Sequence, residues 1–543
     1  MMNEKTLRTF ILLHFWIAFG SFGVACLLGL YQVLERSGFV PILESPEVYF
    51  ASVSTHGVLM AFVLTTFFIM GFGYLVAATS LKTPNAYPRL SWTGFGIATF
   101  GTLMAAVPLL LGKASVLYTF YPPIQASVFF YLGATLLVVG SWFWAAVMLL
   151  TFSRWKKEHP GQKVPLPMFA TTANAILWLW TSIGVALEAV FQLLPWALGL
   201  TDTIDVGLAR TLFSWTLHPI VYFWLIPAYI VLYTLAPVAA GGKLFSEDLA
   251  RLAFILLMVF GLPIGFHHLY MDPEQGKGFK MIHGVGTFLV AFPTLLTGFT
   301  VLASLEQAGR QKGGRGLLGW IGALPWRQPV VLATILAFVM LIAGGFGGIV
   351  NASYAMNAMV HNTAWVPGHF HLIFGGTTVI LYFAAAYAVW PALSGRRLIE
   401  GPLPQIQLWS WFIGMIILST PWHILGLLGQ PRRISSVVYN TLLTLAWDPY
   451  ELAMIIGGTI LLGSALLFLH ILGKSQRRGE PDAATTLQVA YAEAARPNPS
   501  VPCLLNNFGF WNIVILALMV ANFGYPIAQF FIHRTFGSSA WGF

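Results

Sequence analysis

The chain has 543 residues, 57% of them hydrophobic and only 9% charged, with a formal net charge of +9. Soluble domains carry about 25% charged residues, so a soluble enzyme is excluded, and two distant cysteines, Cys26 and Cys503, give no disulfide framework. The basic residues do not gather on one face, which argues against a nucleic-acid partner.

A membrane-crossing helix needs about 20 mostly apolar residues. Such runs lie at roughly 8–32, 50–78, 91–112, 124–152, 168–199, 208–240, 249–270, 281–305, 329–353, 363–390, 406–428, 446–473 and 508–533. They predict an all-α integral membrane protein with about thirteen transmembrane helices. The first run follows Lys5 and Arg8 as a signal peptide would. It is too long for a signal core and further spans follow, so it reads as a retained helix. With the N-terminus placed in the cytoplasm, the N-terminus and the even-numbered loops hold 20 of the 28 Lys and Arg, among them Arg154, Lys156, Lys157, Arg310 and Lys312. The odd-numbered loops and the C-terminus hold 8. This positive-inside bias predicts a cytoplasmic N-terminus and an outer C-terminus. Residues 1–543 read as one membrane domain, with 474–506 a polar cytoplasmic linker before the last helix.

Polar residues inside a span are expensive and usually functional. In span two, Ser-Thr-His56-Gly57 places a histidine beside a glycine that would let a flat macrocycle approach the backbone; alone it carries little. In span five, Glu188 is the carboxylate placed well inside a helix, suited to proton handling or to a buried hydrogen bond. Span six holds Trp215-Thr-Leu-His218-Pro219-Ile-Val-Tyr222. His218 and Tyr222 are four apart and share a helix face, although Pro219 disturbs the local hydrogen bonds. Tyr229 and Tyr233 follow within ~20° of that face and ~16 Å further inward. Span seven ends in Phe266-His267-His268 after Pro263 and Gly265. Neighbouring histidines share one metal only where a helix bends or ends, imidazole suits copper, and a third ligand is then needed. Thr294 and Thr297 on span eight offer hydroxyls beside the tyrosines; such residues also line ordinary membrane helix contacts.

Span ten begins Trp-Val-Pro-Gly-His369-Phe-His371-Leu. Residues two apart on a helix point ~200° apart, so the two rings serve two separate centres rather than one metal. The bland alternative for each of these histidines is a hydrogen bond to a neighbouring helix. With the topology above, however, His56, His218, His267, His268, His369 and His371 all fall in the outer part of the bilayer, and the charge count that set the topology did not use them. His14, His159, His470 and His533 fall near helix ends or in loops and are set aside.

These segments, FSWTLHPIVYFWLIPAYIVLYTL, PIGFHHLYMDP and VHNTAWVPGHFHL, make the chain resemble subunit I of the haem–copper oxidases, B family, and the resemblance runs over most of the chain. It implies that His56 and His371 are axial ligands of a low-spin haem b. It implies that His369 is the proximal ligand of a high-spin haem of a or o type, and that His218, His267 and His268 hold the facing copper, copper B. Tyr222 would be the tyrosine joined to His218 that donates a proton and an electron to oxygen. Arg432 and Arg433, in GQPRRI, match the pair that binds haem propionates, and His361 and Asn362 match the same region. Asn357 stands where the Thermus enzyme has an aspartate, and Ile220 where the A family has a glutamate, so the A-type second proton channel should be absent. Tyr229, Tyr233, Thr294 and Thr297 match the B-family proton path. The implied function is four-electron reduction of dioxygen to water coupled to proton pumping. Implied partners are a subunit II with a dinuclear copper centre, a small single-helix subunit, and cytochrome c or quinol as donor, in a bacterial or archaeal plasma membrane. The alternatives are a nitric-oxide reductase of the same superfamily, against which Tyr222 and three copper histidines argue, and a redox-free secondary transporter, which leaves six histidines at one depth unexplained.

Overall fold

The structure, a computed structural model, describes residues 1–399, 401–439, 441–481, 487–498 and 502–532. Thirteen helices are long and apolar enough to cross a membrane: Glu4–Ser37, Pro46–Leu81, Pro88–Leu110, Val128–Glu158, Leu166–Ala197, Val206–Ala239, Glu247–Leu269, Lys277–Gln311, Pro329–Ala352, Trp365–Ser394, Leu403–Leu427, Asp448–Arg478 and Phe508–Ile532. They are numbered here as spans one to thirteen. Among the described residues, β structure amounts to three isolated bridges. The polar linker expected over 474–506 begins later than the sequence suggests, because span twelve stays helical to Arg478. Residues 482–486 and 499–501 of that stretch, and His533, lie outside the described residues.

The spans start where the chain supplies caps. Asn3, Ser45, Asp205 and Ser246 each accept a hydrogen bond from a backbone N–H three residues on, which satisfies a donor that the first turn leaves open. Pro46, Pro88 and Pro329 occupy first-turn positions, where their missing N–H does no harm. Small residues set how closely spans pack. A Cβ at Gly101 would come within 2.6 Å of the Gly133 carbonyl, so spans three and four touch backbone to backbone, as small residues allow in membranes.

Five spans contain a π-helical stretch: Leu59–Leu64, Ala189–Leu193, Val231–Leu235, His371–Val379 and Val520–Gly524. Such insertions shift the face that later residues present, and they gather at functional sites. Spans two, six, seven and ten, which carry the six singled-out histidines, form the buried middle of the bundle.

Candidate functional site

Span ten divides the site. The His369 Nδ1–H donates to the Gly344 carbonyl of span nine at 2.9 Å, and a Cβ at Gly347 would meet that nitrogen at 2.9 Å. His371 points the other way. Its ring stacks opposite His56, with centres 6.1 Å apart and planes within 14°. His56 donates from Nδ1 to the Ala25 carbonyl (2.7 Å) and His371 to the Pro367 carbonyl (2.8 Å). Both tautomers are therefore fixed, with Nε2 free toward the gap, as an outer hydrogen bond sets a metal ligand. Two imidazoles on one metal ion, each at a bond of about 2 Å, stand about 6 Å apart centre to centre. The pair thus fits a single iron between the rings. The glycine that makes room beside His56 is Gly29, where a Cβ would lie 3.2 Å from the ring; Gly57 instead faces Tyr118.

On the other side, span seven loses its α-helical course at Gly261 and closes with a tight turn over Phe266–Leu269. That turn swings His267 and His268 beside His218, and ligand atoms of all three lie within 4.8 Å of one another. Buried Nε2 of His218 has no hydrogen-bond partner. Thr287 gives its only proton to the His283 carbonyl (2.7 Å), so at 3.0 Å its oxygen accepts from Nδ1–H of His267. This leaves Nε2 of His267 as the lone pair for a metal. Three convergent imidazole lone pairs, two of them on the buried rings of His218 and His267, fit a copper ion. Tyr222 is buried, its ring centre 5.0 Å from that of His218.

Above the histidines, Arg432 donates to Asn362 Oδ1 from both Nε (3.2 Å) and Nη2 (2.9 Å). Arg433 lies over Tyr121, 4.3 Å from the ring centre. Asn362 and Arg433 both take left-handed backbone conformations, φ 58° and 61°, which asparagine tolerates but which is rare for an arginine and a form of strain that clusters at functional sites. Burial, then repulsion from Arg433, pulls the Arg432 guanidinium down to about 10. Neither arginine has a carboxylate in ion-pair reach among the described residues, so the pair fits the carboxylates of an anionic cofactor. His361 Nδ1–H donates to Asn357 Oδ1 (3.2 Å), and Asn357 Nδ2 donates to the Asn351 carbonyl (2.8 Å). Position 357 is thus a neutral amide inside this network.

Spans six and eight carry a ladder of hydroxyls. Tyr229 donates to Thr294 (3.2 Å) and Tyr233 to Thr297 (2.8 Å). Two members escaped the sequence reading. Thr300 has a buried hydroxyl without a partner, and Ser304 bonds the Thr300 carbonyl and accepts from the Phe245 N–H. Their spacing along span eight, 297, 300 and 304, continues one helix face and was the signal available.

Glu188 is fully buried with neither oxygen bonded. It is not the sole carboxylate within a span. Glu451 is also fully buried, 3.3 Å from Arg36 and accepting from Gln430 at 2.8 Å. Arg36 lies over Trp422, which contacts His371. Nothing in the sequence pairs residues 415 apart. His14, expected near a helix end, is instead buried among Phe10, Phe67, Tyr74 and Phe95.

Residues 9–460 match the family model described as cytochrome c and quinol oxidase polypeptide I. The cytochrome c oxidase subunit 1 of Thermus thermophilus is 40% identical over 512 residues, covering 93% of this chain and 89% of the relative. That of Synechocystis is 25% identical over 479 residues, covering 85% and 82%. A haem–copper terminal oxidase dimer solved by cryo-electron microscopy superposes with a TM-score of 0.91 at 36% identity, covering 97% of this chain and 93% of that one. The family implies haems and a copper, and the triad of His218, His267 and His268 fits the copper. The chain therefore belongs to the cytochrome c and quinol oxidase polypeptide I family: it is the catalytic subunit I of a haem–copper terminal oxidase, of the B-family type.

Proposed function

We propose that this subunit reduces dioxygen to water with four electrons and pumps protons as it does so. One observation carries the reading: three histidines, His218 and His267 of them buried, whose ligand atoms lie within 4.8 Å of one another, with Tyr222 beside them. His56 and His371 hold a low-spin haem b. His369 holds a high-spin haem of a or o type, and His218, His267 and His268 hold copper B. Arg432 and Arg433, with His361, Asn362 and Asn357 behind them, receive the haem propionates. Bound there, the haems and copper supply the electron storage and oxygen chemistry; the chain fixes their ligands and meters protons.

Tyr222, joined to His218, gives up its hydroxyl proton and an electron at the site. It recovers the proton through Tyr229 and Tyr233, with Thr294, Thr297, Thr300 and Ser304 alongside. Each hydroxyl both donates and accepts, so the ladder can pass a proton inward to outward with bound water. Ile220 supplies no second carboxylate, so one track serves chemistry and pumping. Glu188, buried in span five without a hydrogen-bond partner, is a protonatable carboxyl suited to proton handling. The N-terminus faces the cytoplasm, and the polar segment that follows Arg478 links the last two spans on that side. The membrane is the plasma membrane of a bacterium or archaeon. Electrons arrive from cytochrome c, or failing that quinol, through a subunit II with a dinuclear copper centre, and a small single-helix subunit completes the complex.

Oxygen and nitric-oxide consumption measured on one purified complex test this reading. Oxygen turnover greatly exceeding nitric-oxide turnover, with protons released outside reconstituted vesicles, is expected. Dominant nitric-oxide turnover would overturn it.

A further inference from the structure

His283 is absent from the three-histidine metal cluster, yet it is fully buried and sits behind the copper turn. Its Nδ1 accepts two consecutive backbone donors of that turn, the N–H of Gly265 at 2.9 Å and of Phe266 at 3.1 Å. These are the residues just before His267 and His268. An acceptor at Nδ1 puts the proton on Nε2, which faces the Asn522 carbonyl of span thirteen at 3.4 Å. Asn522 in turn donates from Nδ2 to the Pro263 carbonyl at 2.7 Å. The His283 ring stacks on Phe266, with centres 4.0 Å apart and planes within 8°, and Phe523 closes on both rings from 5.1 Å.

One turn along the same face of span eight, Thr287 accepts from the His267 ring while donating to the His283 carbonyl. Span eight thus grips the turn twice, by its backbone through His283 and by a ligand ring through Thr287. Across the turn, a Cβ at Gly265 would collide with the Ser214 carbonyl, so the turn is wedged against span six. The π-helical stretch Val520–Gly524 presents Asn522 and Phe523 at this point.

We propose that His283 is a positioning residue for the copper centre: with Thr287 and Asn522 it forms a clamp that holds the Gly265–Phe266 backbone so that His267 and His268 converge on His218. The clamp gives the lipid-facing thirteenth span a purpose in the site. The inference rests on the reading of the three histidines as copper ligands.

The test compares His283→Leu, which keeps bulk but offers no acceptor, with His283→Asn, whose Oδ1 stands near the position of Nδ1. Copper per haem, copper retention against a chelator, and the infrared band of carbon monoxide photodissociated onto the copper are measured in the whole complex. Outer hydrogen-bond partners of metal ligands are worth about 10–100-fold in affinity. His283→Leu is expected to release copper by that factor, with a shifted carbonyl band and both haems kept, and His283→Asn to restore much of the loss. Full copper and an unshifted band in His283→Leu would overturn the proposal. Should that variant not assemble with its haems, Thr287→Val decides: lowered copper retention supports the clamp, and wild-type copper with an unshifted band overturns it. Wild-type complex without copper would instead defeat the ligand reading itself.

Discussion

Spans two, six, seven and ten are buried over 94%, 94%, 78% and 89% of their most apolar windows, whereas spans three and thirteen are buried over 33% and 28%. The two groups are about equally apolar. Hydropathy therefore tells that a helix lies in the membrane and nothing about where it stands in the bundle. The histidines do tell, because a polar ring facing lipid would go unsatisfied. Peripheral spans obey the same rule by halves. Span eight turns His283, Thr287, Thr294 and Thr297 toward the centre and leaves Leu295, 69% exposed, on its outer face.

If the centre is where function resides, the largest effect comes from removing a central ligand. His267→Ala should abolish oxygen reduction, with copper gone and both haems present by optical spectroscopy; retained copper would break the contrast between ligand and packing histidines. Next in size is Glu451→Gln, which leaves the Arg36 charge buried without its counter-charge. Breaking a buried pair costs about 3–5 kcal/mol, so thermal unfolding followed by haem release should shift to clearly lower temperature. Wild-type stability would mean that water already reaches the pair.

The hydroxyl ladder comes third. Thr297→Val and Tyr233→Phe keep shape and lose relay capacity, and each should slow oxygen reduction and proton uptake together by roughly a hundredfold, with haems and copper retained. Separate losses would indicate two proton routes, and normal turnover would reduce these residues to helix packing. The smallest effect belongs to the outer face: Leu295→Ala, beside Thr294 in sequence, should alter stability by under about 0.5 kcal/mol and turnover not at all.

Much of this was legible in the chain. Thirteen apolar runs gave thirteen spans with ends shifted by a few residues, because capping side chains and first-turn prolines extend helices past their apolar cores. The two-residue spacing of His369 and His371 gave two faces, since both keep right-handed helical backbone although a π-helical stretch begins at His371. What escaped depends on partners distant in sequence or on backbone. His283 looks like any polar residue near a span start until the backbone donors it accepts from, 17 and 18 residues back, are seen. Arg36 and Glu451 are 415 residues apart in the chain. The π-helical stretches carry no compositional mark, and Gly29 stood out less than Gly57 because only the folded packing shows which one faces His56.

The central claim is that span ten separates two cofactor centres by the opposed faces of His369 and His371. Optical and pyridine-haemochrome spectra of His369→Ala and His371→Ala, prepared side by side, test it most directly. The account predicts loss of the high-spin haem in the first and of the low-spin haem in the second, each with the other haem retained. Loss of the same haem from both would contradict it.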